Sequence, residues 1–284
     1  MTNHPIAPDA AAHLDRYFDL IGYDGERMPT LAVLRKLHLL HALAIPFENL
    51  SPLLGLPVRL DIPALFDKFV QQRRGGYCFE QNLLFQHVLH QLGFQTKALA
   101  ARIRWNVPDG VATVRGHMLI LVEIDGKPYI ADVGFGGLTL TAPLRLITDV
   151  NQDTPHGPFR LRQTNTGYLL SGKTGEEWKD IYAFDLGMQL LPDYEVSNWY
   201  LSTHPQSHFV TGLMVGMPTT NGRHALLDNR YSFYGLDGSQ QRKTMETVGE
   251  LKNVLEQVFH IRLPDVPHLD EKLQAVLQQG RHAD

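Results

Sequence analysis

The sequence predicts an α+β protein, with a helical N-terminal part, an antiparallel β region in the middle and a mixed C-terminal part. In the first third of the chain, apolar residues recur at the three- and four-residue spacing of amphipathic helices. From Phe94 the apolar period changes to two, which is typical of strands, and Asp125-Gly126 supplies a strong hairpin turn. Two further helical patterns follow at the C-terminal end, at about 248–260 and 268–279.

The N-terminal helices are predicted to form a small bundle. Thr30 is a suitable N-cap for the second helix, and Gly93 is a suitable stop signal for the helix that begins near Cys78. The four predicted helices span 9–22, 30–44, 63–72 and the stretch from about Cys78 to Gly93.

An antiparallel sheet that curls into a barrel is predicted for the middle of the chain. Asn165-Thr166-Gly167 adds a second turn, and short strands joined by such turns are typical of antiparallel sheets. A short helix is predicted over 193–202, and further strands over 223–247. The strand candidates before that end region are 94–104, 115–124, 127–133, 158–164, 167–172, 177–186 and 209–217.

Cys78 is the only cysteine among the 284 residues, and it lies in the run Arg-Arg-Gly-Gly-Tyr-Cys-Phe-Glu-Gln-Asn of residues 73–82. We expect it in the first turn of a helix, after a tight glycine bend that another segment or a ligand can approach closely. The N-terminus of a helix carries about half a positive charge, and this field favours the nucleophilic thiolate over the thiol. A buried cysteine with only a packing role is the alternative.

A hairpin is predicted to bring His117 and Asp132 to the same end of two strands. With Ile124 opposite Lys127 across the turn, His117 falls near Asp132 or the residue after it. A nucleophilic cysteine needs a base and a group that orients the base, and an imidazole beside a carboxylate supplies both. Cys78, His117 and Asp132 are therefore the candidate catalytic residues, although such His and Asp residues are more often structural.

Glu48 follows the apolar Phe47, and a buried carboxylate at this position needs a partner. Arg74, next to the predicted bend before Cys78, is the candidate. The alternative is a solvated Glu48, because Glu is rarely buried.

The composition is ordinary for a soluble globular protein, with 43% hydrophobic and 20% charged residues. A net charge of -4 gives no sign of a nucleic-acid-binding surface, and no apolar run reaches the roughly 18 residues that a membrane span needs. The first residues lack the basic and apolar parts of a signal peptide. A single cysteine forms no internal disulfide, so we expect a reducing cytoplasm.

Metal binding is not expected, although the chain has 14 histidines. His38 and His41, and likewise His87 and His90, are three residues apart on predicted helices. No cysteine or carboxylate motif accompanies either pair at the spacing of a zinc site.

Four ordered motifs resemble those of the arylamine N-acetyltransferase family: residues 74–82, Ile-Pro-Phe-Glu-Asn-Leu at 45–50, His-Met-Leu at 117–119 and Asp-Val-Gly-Phe-Gly at 132–136. The resemblance covers essentially the whole chain. It implies a fold with a core like that of cysteine proteases, divided into three domains. These are a helical bundle over 1–93 that carries the nucleophile, a β-barrel over 94–203 that carries His and Asp, and an α/β lid over 204–284.

The resemblance also implies the reaction, in which acetyl-CoA acetylates Cys78 and an arylamine, hydrazine or similar amine then accepts the acetyl group. Coenzyme A and the small amine are the implied partners, without nucleic acid or membrane. By resemblance, Phe135 and Gly134 lie at the amine pocket, with Phe47 and Phe209 as further walls. The rim before His117 is implied to contact substrate or CoA. The rim residues are Thr113, Val114 and Gly116. Thr219, in the lid, is implied as a weaker contact with CoA.

Arg115, on the same rim, has two interpretations, a contact for phosphate or a solvated strand end. Two other functions remain open for the whole chain. One is a cysteine protease or transglutaminase-like enzyme with the same three residues, which would act on peptides independently of acetyl-CoA. The other is a catalytically inactive protein that binds acyl-CoA or an aromatic ligand.

Overall fold

The computed structural model describes residues 8–108 and 110–280, in which helices pack against two antiparallel sheets. The expectation about a signal peptide falls on the first seven residues, which lie outside this part. Within the described ranges, none of the helices combines the length and the hydrophobicity needed to cross a membrane. The helices are α1 Pro8–Ile21, α2 Leu31–Ala44, α3 Leu50–Leu53, α4 Ile62–Phe66, α5 Cys78–Gln91, α6 Leu191–Thr203, α7 His208–Thr211, α8 Val248–Gln257 and α9 Leu269–Gly280.

The N-terminal helices begin and end where local signals place them. The Thr30 side chain caps α2 by accepting the N–H of Val33 at 3.3 Å. After α5, Gly93 adopts a positive φ of 84°, the conformation that favours glycine past a helix end. The predicted helix over 63–72 is interrupted, because α4 passes into a π-helical turn at Asp67–Gln71.

An eight-stranded antiparallel sheet forms the middle of the molecule, in the order β5-β4-β3-β2-β9-β8-β7-β6. Its two edges are joined by one side chain, because Gln152 accepts the N–H of Arg145 at 2.8 Å and donates to its carbonyl at 2.9 Å. The sheet is therefore a nearly closed barrel, and the α+β prediction is confirmed. Its strands are β2 Gln95–Ile103, β3 His117–Ile124, β4 Lys127–Ala131, β5 Leu144–Arg145, β6 Asn151–Thr154, β7 Gly157–Thr164, β8 Gly167–Thr174 and β9 Glu177–Phe184.

A second sheet of five antiparallel strands connects the two ends of the sequence, in the order β1-β10-β11-β12-β13. The strand expected at 209–217 is wrong in its first half, where the chain forms α7 before β10 begins. The two edge strands β5 and β6 and the two-residue β1 were not predicted, because they are short and lack alternation. The strands are β1 Phe47–Glu48, β10 Met214–Thr219, β11 Gly222–Leu227, β12 Arg230–Gly235 and β13 Gln240–Thr244.

Three hydrophobic clusters fill the interior. The first extends from α1 through α2 and α5 to the helix-facing side of β3 and β4, and includes Tyr17, Phe85 and Met118. The second packs α3 against the five-stranded sheet, α8 and α9. The third lies among the barrel strands. Since α3 belongs to the second cluster and β4 to the first, packing crosses the expected domain boundaries at 93/94 and 203/204, and that division stays a prediction.

A buried ion pair joins Glu48 to Arg74, as the sequence predicts. The Arg74 guanidinium donates to Glu48 Oε1 at 2.8 and 2.9 Å, and the two side chains are 3% and 0% exposed. The second carboxylate oxygen accepts the N–H of Leu50 at 2.6 Å. The alternative of a solvated Glu48 is therefore wrong.

Arg74→Ala should cost about 3–5 kcal/mol of the free energy of unfolding, because it leaves the carboxylate of Glu48 buried without its cation. Urea unfolding followed by circular dichroism measures this loss. Arg59→Ala is the matched control, since Arg59 pairs with Asp61 at 2.8 Å on the surface and should cost at most about 1 kcal/mol. Equal losses in the two variants would contradict the role given to the buried pair.

Candidate active site

Cys78 is the first residue of α5, directly after a backbone bend that excludes side chains. A Cβ on Gly75 would lie 2.0 Å from the carbonyl oxygen of Pro46, so only glycine fits there. The carboxylate of Glu80 accepts the N–H of Tyr77 at 3.0 Å and so satisfies a backbone donor at the start of the helix. The predicted position of Cys78 at a helix start is confirmed, and the helix N-terminus directs its partial positive charge at the thiol.

The structure brings Cys78, His117 and Asp132 together. His117 Nε2 lies 2.7 Å from Asp132 Oδ2, and Cys78 lies close enough to the ring to raise the pKa of His117. The thiol Sγ is 3.6 Å from the carbonyl oxygen of Gly116, the residue before His117. Cys78 is 3% exposed, His117 2% and Asp132 0%, so the reacting groups are almost completely removed from bulk water.

The hairpin register agrees with the prediction near the turn, where Ile124 pairs with Lys127. The last pair is Ile120 with Ala131, so the predicted continuation of this strand to residue 133 is wrong. Continued further, the register would place His117 opposite the residue two after Asp132. The chain instead leaves the sheet after Ala131, and this departure turns the Asp132 side chain toward the imidazole.

Asp132 receives several hydrogen bonds inside the protein. Asn82 Nδ2 donates to its Oδ1 at 3.0 Å, and the backbone N–H of Gly134 donates to the same oxygen at 2.9 Å. The backbone N–H of Asp132 donates to Nε2 of His38 at 3.1 Å. Burial raises the pKa of a carboxyl group, but the charge and hydrogen bond of His117, together with Asn82 and Gly134, lower the pKa of Asp132 below its usual value.

His117 carries a proton at neutral pH. Burial alone would lower its pKa, but the charge and hydrogen bond of Asp132, helped by Cys78, raise the pKa to about 10. Because this value lies above the unfolded one of about 6.5, protonated His117 stabilises the fold fully below pH 6.5. That contribution is lost as the pH rises through about 10. An imidazolium beside the sulfur is the arrangement that stabilises a thiolate.

Three buried residues lie around the His117–Asp132 pair and were given no role from the sequence. Asn82 lies four residues after Cys78, hence on the same face of α5, and this spacing was a usable signal. Tyr182 comes from β9, with its ring centroid 4.9 Å from that of His117; burial raises its pKa, and so does the charge of Asp132. His38 is kept neutral by burial, which lowers its pKa to about 3. No sequence pattern connects Tyr182 or His38 to Asp132.

Aromatic rings lie near the thiol and the imidazole. Phe135 lies edge-on to His117, at a centroid distance of 5.4 Å. The rings of Phe47 and Phe209 are 6.1 Å apart, and Phe209 also lies 5.2 Å from the ring of Tyr77, the residue before Cys78. A Cβ on Gly136 would lie 3.3 Å from the ring of Phe47, so the loop after Asp132 packs directly on that ring. These partly or fully buried rings offer flat apolar contact surfaces next to the sulfur.

The rim before His117 is a loop, and not the beginning of the strand expected at 115. Val114 is 59% exposed, while the hydroxyl of Thr113 donates to the carbonyl of Ile103 at 3.0 Å. Arg115 pairs with Asp185 at 2.6 Å, so its charge is compensated at the surface. Gly116 is the one rim residue that contacts the thiol.

The two remaining predicted positions are Gly134, in the loop after Asp132, and Thr219, in the expected lid. Gly134 packs on Cys78, because a Cβ there would lie 2.8 Å from the Cα of Cys78. Thr219 ends β10, where its hydroxyl donates to Asn221 at 2.8 Å and its carbonyl accepts from His156 at 2.6 Å. Among the residues that the structure describes, no three His, Cys, Asp or Glu side chains converge in a way suited to a metal ion.

The geometry is that of a site for acyl transfer, because a cysteine, a protonated histidine and a buried carboxylate lie together on an α+β fold. Comparisons with known proteins agree. The model of a family described as N-acetyltransferase matches residues 30–267. The arylamine N-acetyltransferase / N-hydroxyarylamine O-acetyltransferase of Salmonella typhimurium is 39% identical, over 93% of this chain and 95% of its own length.

Solved structures show the same relation. The arylamine N-acetyltransferase of Mycobacterium marinum superposes with a TM-score of 0.90 at 39% identity, covering 93% of this chain and 99% of that one. The same Mycobacterium marinum enzyme in complex with CoA gives a TM-score of 0.88, over 94% of this chain and 98% of the other. The chain belongs to the arylamine N-acetyltransferase family, and its enzyme class is acyltransferase.

Alkylation of Cys78 by iodoacetamide should remain fast at pH 6. An ordinary thiol, with a pKa of about 8.5, is less than about 1% ionised at that pH and loses reactivity about tenfold per pH unit. His117, with its pKa raised to about 10, stays protonated beside the sulfur throughout this range, so the rate should be nearly constant from pH 6 to 9. The alkylation rates are measured by quenching samples at successive times and determining the alkylated fraction of the protein by mass spectrometry. A tenfold rise per unit over this range would contradict the ion pair.

Asp132→Asn should leave the chain folded and reduce turnover by roughly 10²–10⁴, because the charge that keeps His117 protonated and oriented is lost. Asp125→Asn is the matched control: it makes the same chemical change at the turn of the same hairpin, where Asn tolerates the φ of 51°. Melting temperature, alkylation rate and turnover are measured for both. A folded Asp132→Asn enzyme with wild-type alkylation and turnover would remove Asp132 from the reaction.

Proposed function

We propose that this protein is an acetyl-CoA-dependent N-acetyltransferase that acts on arylamines, arylhydrazines or similar amines through an acetylated Cys78. The observation that carries the proposal is the 2.7 Å hydrogen bond between His117 and Asp132, buried beside the thiol of Cys78. It occurs in a chain whose relatives of 38–39% identity are named arylamine N-acetyltransferases.

In the first half-reaction, the thiolate of Cys78 attacks the acetyl carbonyl carbon. A bond forms between this carbon and Sγ, the bond to the sulfur of CoA breaks, and the proton of His117 goes to the departing sulfur. Asp132 keeps the imidazole in place during the transfer. In this proposal the first step starts from the thiolate beside protonated His117 and needs no separate deprotonation.

In the second half-reaction, the amine nitrogen attacks the carbonyl carbon of the thioester. His117, which is now neutral, accepts the amine proton, the bond to Sγ breaks and the thiolate–imidazolium pair is restored. The negative oxygen that develops in both steps needs N–H donors, and the backbone N–H of Cys78 at the start of α5 is the one we propose. The order is ping-pong, because the acetyl group resides on the protein between the two substrates.

The amine ring is proposed to bind between Phe135 and the pair formed by Phe47 and Phe209. Phe135 lies against the imidazole and Phe209 against Tyr77, the residue before Cys78, and flat aromatic walls are typical of small-molecule pockets. Gly134 supports this assignment because any side chain there would collide with Cys78. The exposed Val114 would contact the outer part of a larger amine.

Acetyl-CoA is proposed to enter along the loop of residues 134–137 and the rim before His117. A Cβ on Gly137 would have no atom within 4 Å, so this part of the loop is open to a ligand. Gly116 contacts the thiol, which supports a position next to the thioester, and Thr113 lies on the same rim. Thr219 is proposed as a contact with the more distant part of CoA. The complex of the Mycobacterium marinum enzyme with CoA supports a CoA site in this fold.

A reducing compartment such as the cytoplasm is proposed as the place of action. The only cysteine of the chain is the proposed nucleophile, and it must remain a free thiolate to react. Nucleic acid and membranes have no part in this proposal, since both substrates are small molecules.

Acetyl-CoA alone should add one acetyl group to the protein, on Cys78. Intact-protein mass spectrometry after mixing should show a mass increase of about 42 Da, and peptide analysis should place it on the peptide that contains Cys78. Adding an arylamine such as 4-aminobenzoate should remove the group within one turnover and produce the N-acetyl product. The acetyl group is retained between the two substrates only in a ping-pong order.

Cys78→Ala is the control, and it should stay folded but acquire no acetyl group. An acetyl group on a lysine, or none on the wild-type protein, would contradict the proposal. Peptide hydrolysis in the absence of acetyl-CoA would favour the protease-like alternative, and unchanged ligand binding without turnover would favour an inactive binding protein.

A further inference from the structure

A cavity of about 820 Å³ lies outside the proposed active site, between α2 and the barrel. It falls within the range of roughly 300–1,000 Å³ that small-molecule sites occupy. One wall is a single face of α2, since its four lining residues recur at helical spacing. The other wall is the seam at which the barrel edges β5 and β6 meet. The lining includes Arg35, Lys36 and Leu39 from α2, and Tyr129, Arg145 and Gln152 from the barrel.

The charge of this cavity is opposite to that of the protein. Arg35, Lys36 and Arg145 face only one lining carboxylate, Asp153, whereas the chain as a whole carries a net charge of -4. Lys36 pairs with Asp24 at 2.9 Å. Within residues 8–108 and 110–280, no carboxylate forms an ion pair with Arg35 or Arg145. Two guanidinium groups that have no ion-pair partner in the described part of the chain and line one cavity favour an anion, because guanidinium groups recognise carboxylate and phosphate geometry well.

Much of the rest of the lining is apolar, beside the polar Thr141 and Gln152. Tyr129 and Leu144 are buried, and Leu39 and Ala142 are half-buried, so the floor between the cations offers hydrophobic contact. The wall is also fixed in position, because Gln152 bonds both backbone groups of Arg145 at 2.8 and 2.9 Å. A preformed apolar floor with cations at its margin fits a molecule that has an apolar body and one anionic end.

We propose that this cavity is a second ligand site that binds an organic anion with an aromatic or acyl body, separately from the acetyl donor and the amine. None of the lining residues belongs to the group Cys78, His117 and Asp132 or to the rim before His117, so both sites can be occupied at once. The two sites nevertheless share elements. Leu39 follows His38, the acceptor of the Asp132 N–H, and Tyr129 lies on β4, which ends one residue before Asp132.

Isothermal titration calorimetry with biphenyl-4-carboxylate tests the site on protein whose Cys78 has been alkylated to block the reaction centre. We expect one molecule bound per chain. Arg35→Gln combined with Arg145→Gln should weaken binding by about tenfold or more, because both charge-assisted contacts are lost. Biphenyl-4-carboxamide, which has the same shape without the charge, should bind the unmutated protein correspondingly weakly.

Arg242→Gln combined with Arg262→Gln is the matched control, since it removes the same charge from exposed positions elsewhere and should leave the affinity unchanged. Ala142→Trp, which fills the cavity, should abolish binding at an unchanged melting temperature. The proposal is overturned if the carboxylate binds equally to the Arg35/Arg145 variant, if both double variants lose affinity alike, or if the carboxamide binds as tightly. The proposal of a second ligand site does not depend on acetyl transfer to Cys78. A failure of that transfer would be detected separately, as a missing acetyl group in the mass spectrum of the protein mixed with acetyl-CoA.

Discussion

The rest of the structure depends on the burial of one carboxylate, that of Asp132. It is 0% exposed, and an ionised group in such a place is tolerated only with charge and hydrogen-bond partners on every side. His117 from β3 supplies the charge, while Asn82 from α5 and the N–H of Gly134 supply hydrogen bonds. These donors come from the helical part and from the barrel. The same contact therefore joins the two parts of the molecule and sets the protonation of the proposed base.

The thiol is positioned by steric exclusion more than by attraction. A Cβ on Gly75 would collide with the Pro46 carbonyl, and one on Gly134 would collide with Cys78 itself. The bend before α5 and the loop after β4 can thus approach one another to backbone contact. This approach lets the N-terminus of α5, with its partial positive charge, face the same small volume as His117. Both fields favour the thiolate, so nucleophilicity is a property of the packing as well as of the side chains.

The helical part is tied to the C-terminal sheet by a separate set of contacts. β1 pairs with β10, and Asn49 donates to the carbonyls of Phe209 and Gly212 at 2.9 and 2.7 Å. The Glu48–Arg74 pair lies directly beside this junction. As a result, Phe47 and Phe209 are fixed next to each other at the proposed amine pocket, although they are far apart in sequence. Two segments that are distant in sequence thus form one wall of the proposed pocket together, which neither segment could form alone.

The sequence by itself determined the elements whose signals are local. The cap at Thr30, the helix start at Cys78, the hairpin register at Ile124 and Lys127 and the α+β class all follow from capping, turn and periodicity rules, and the structure agrees with them. The Glu48–Arg74 pair was also predictable, because a carboxylate in an apolar run needs a nearby cation. Only the tertiary structure decided the three buried residues around the His117–Asp132 pair, the early end of β4, the short edge strands of the barrel and the cavity beside α2. Each depends on contacts between segments distant in sequence, for which one sequence carries no periodic or local signal.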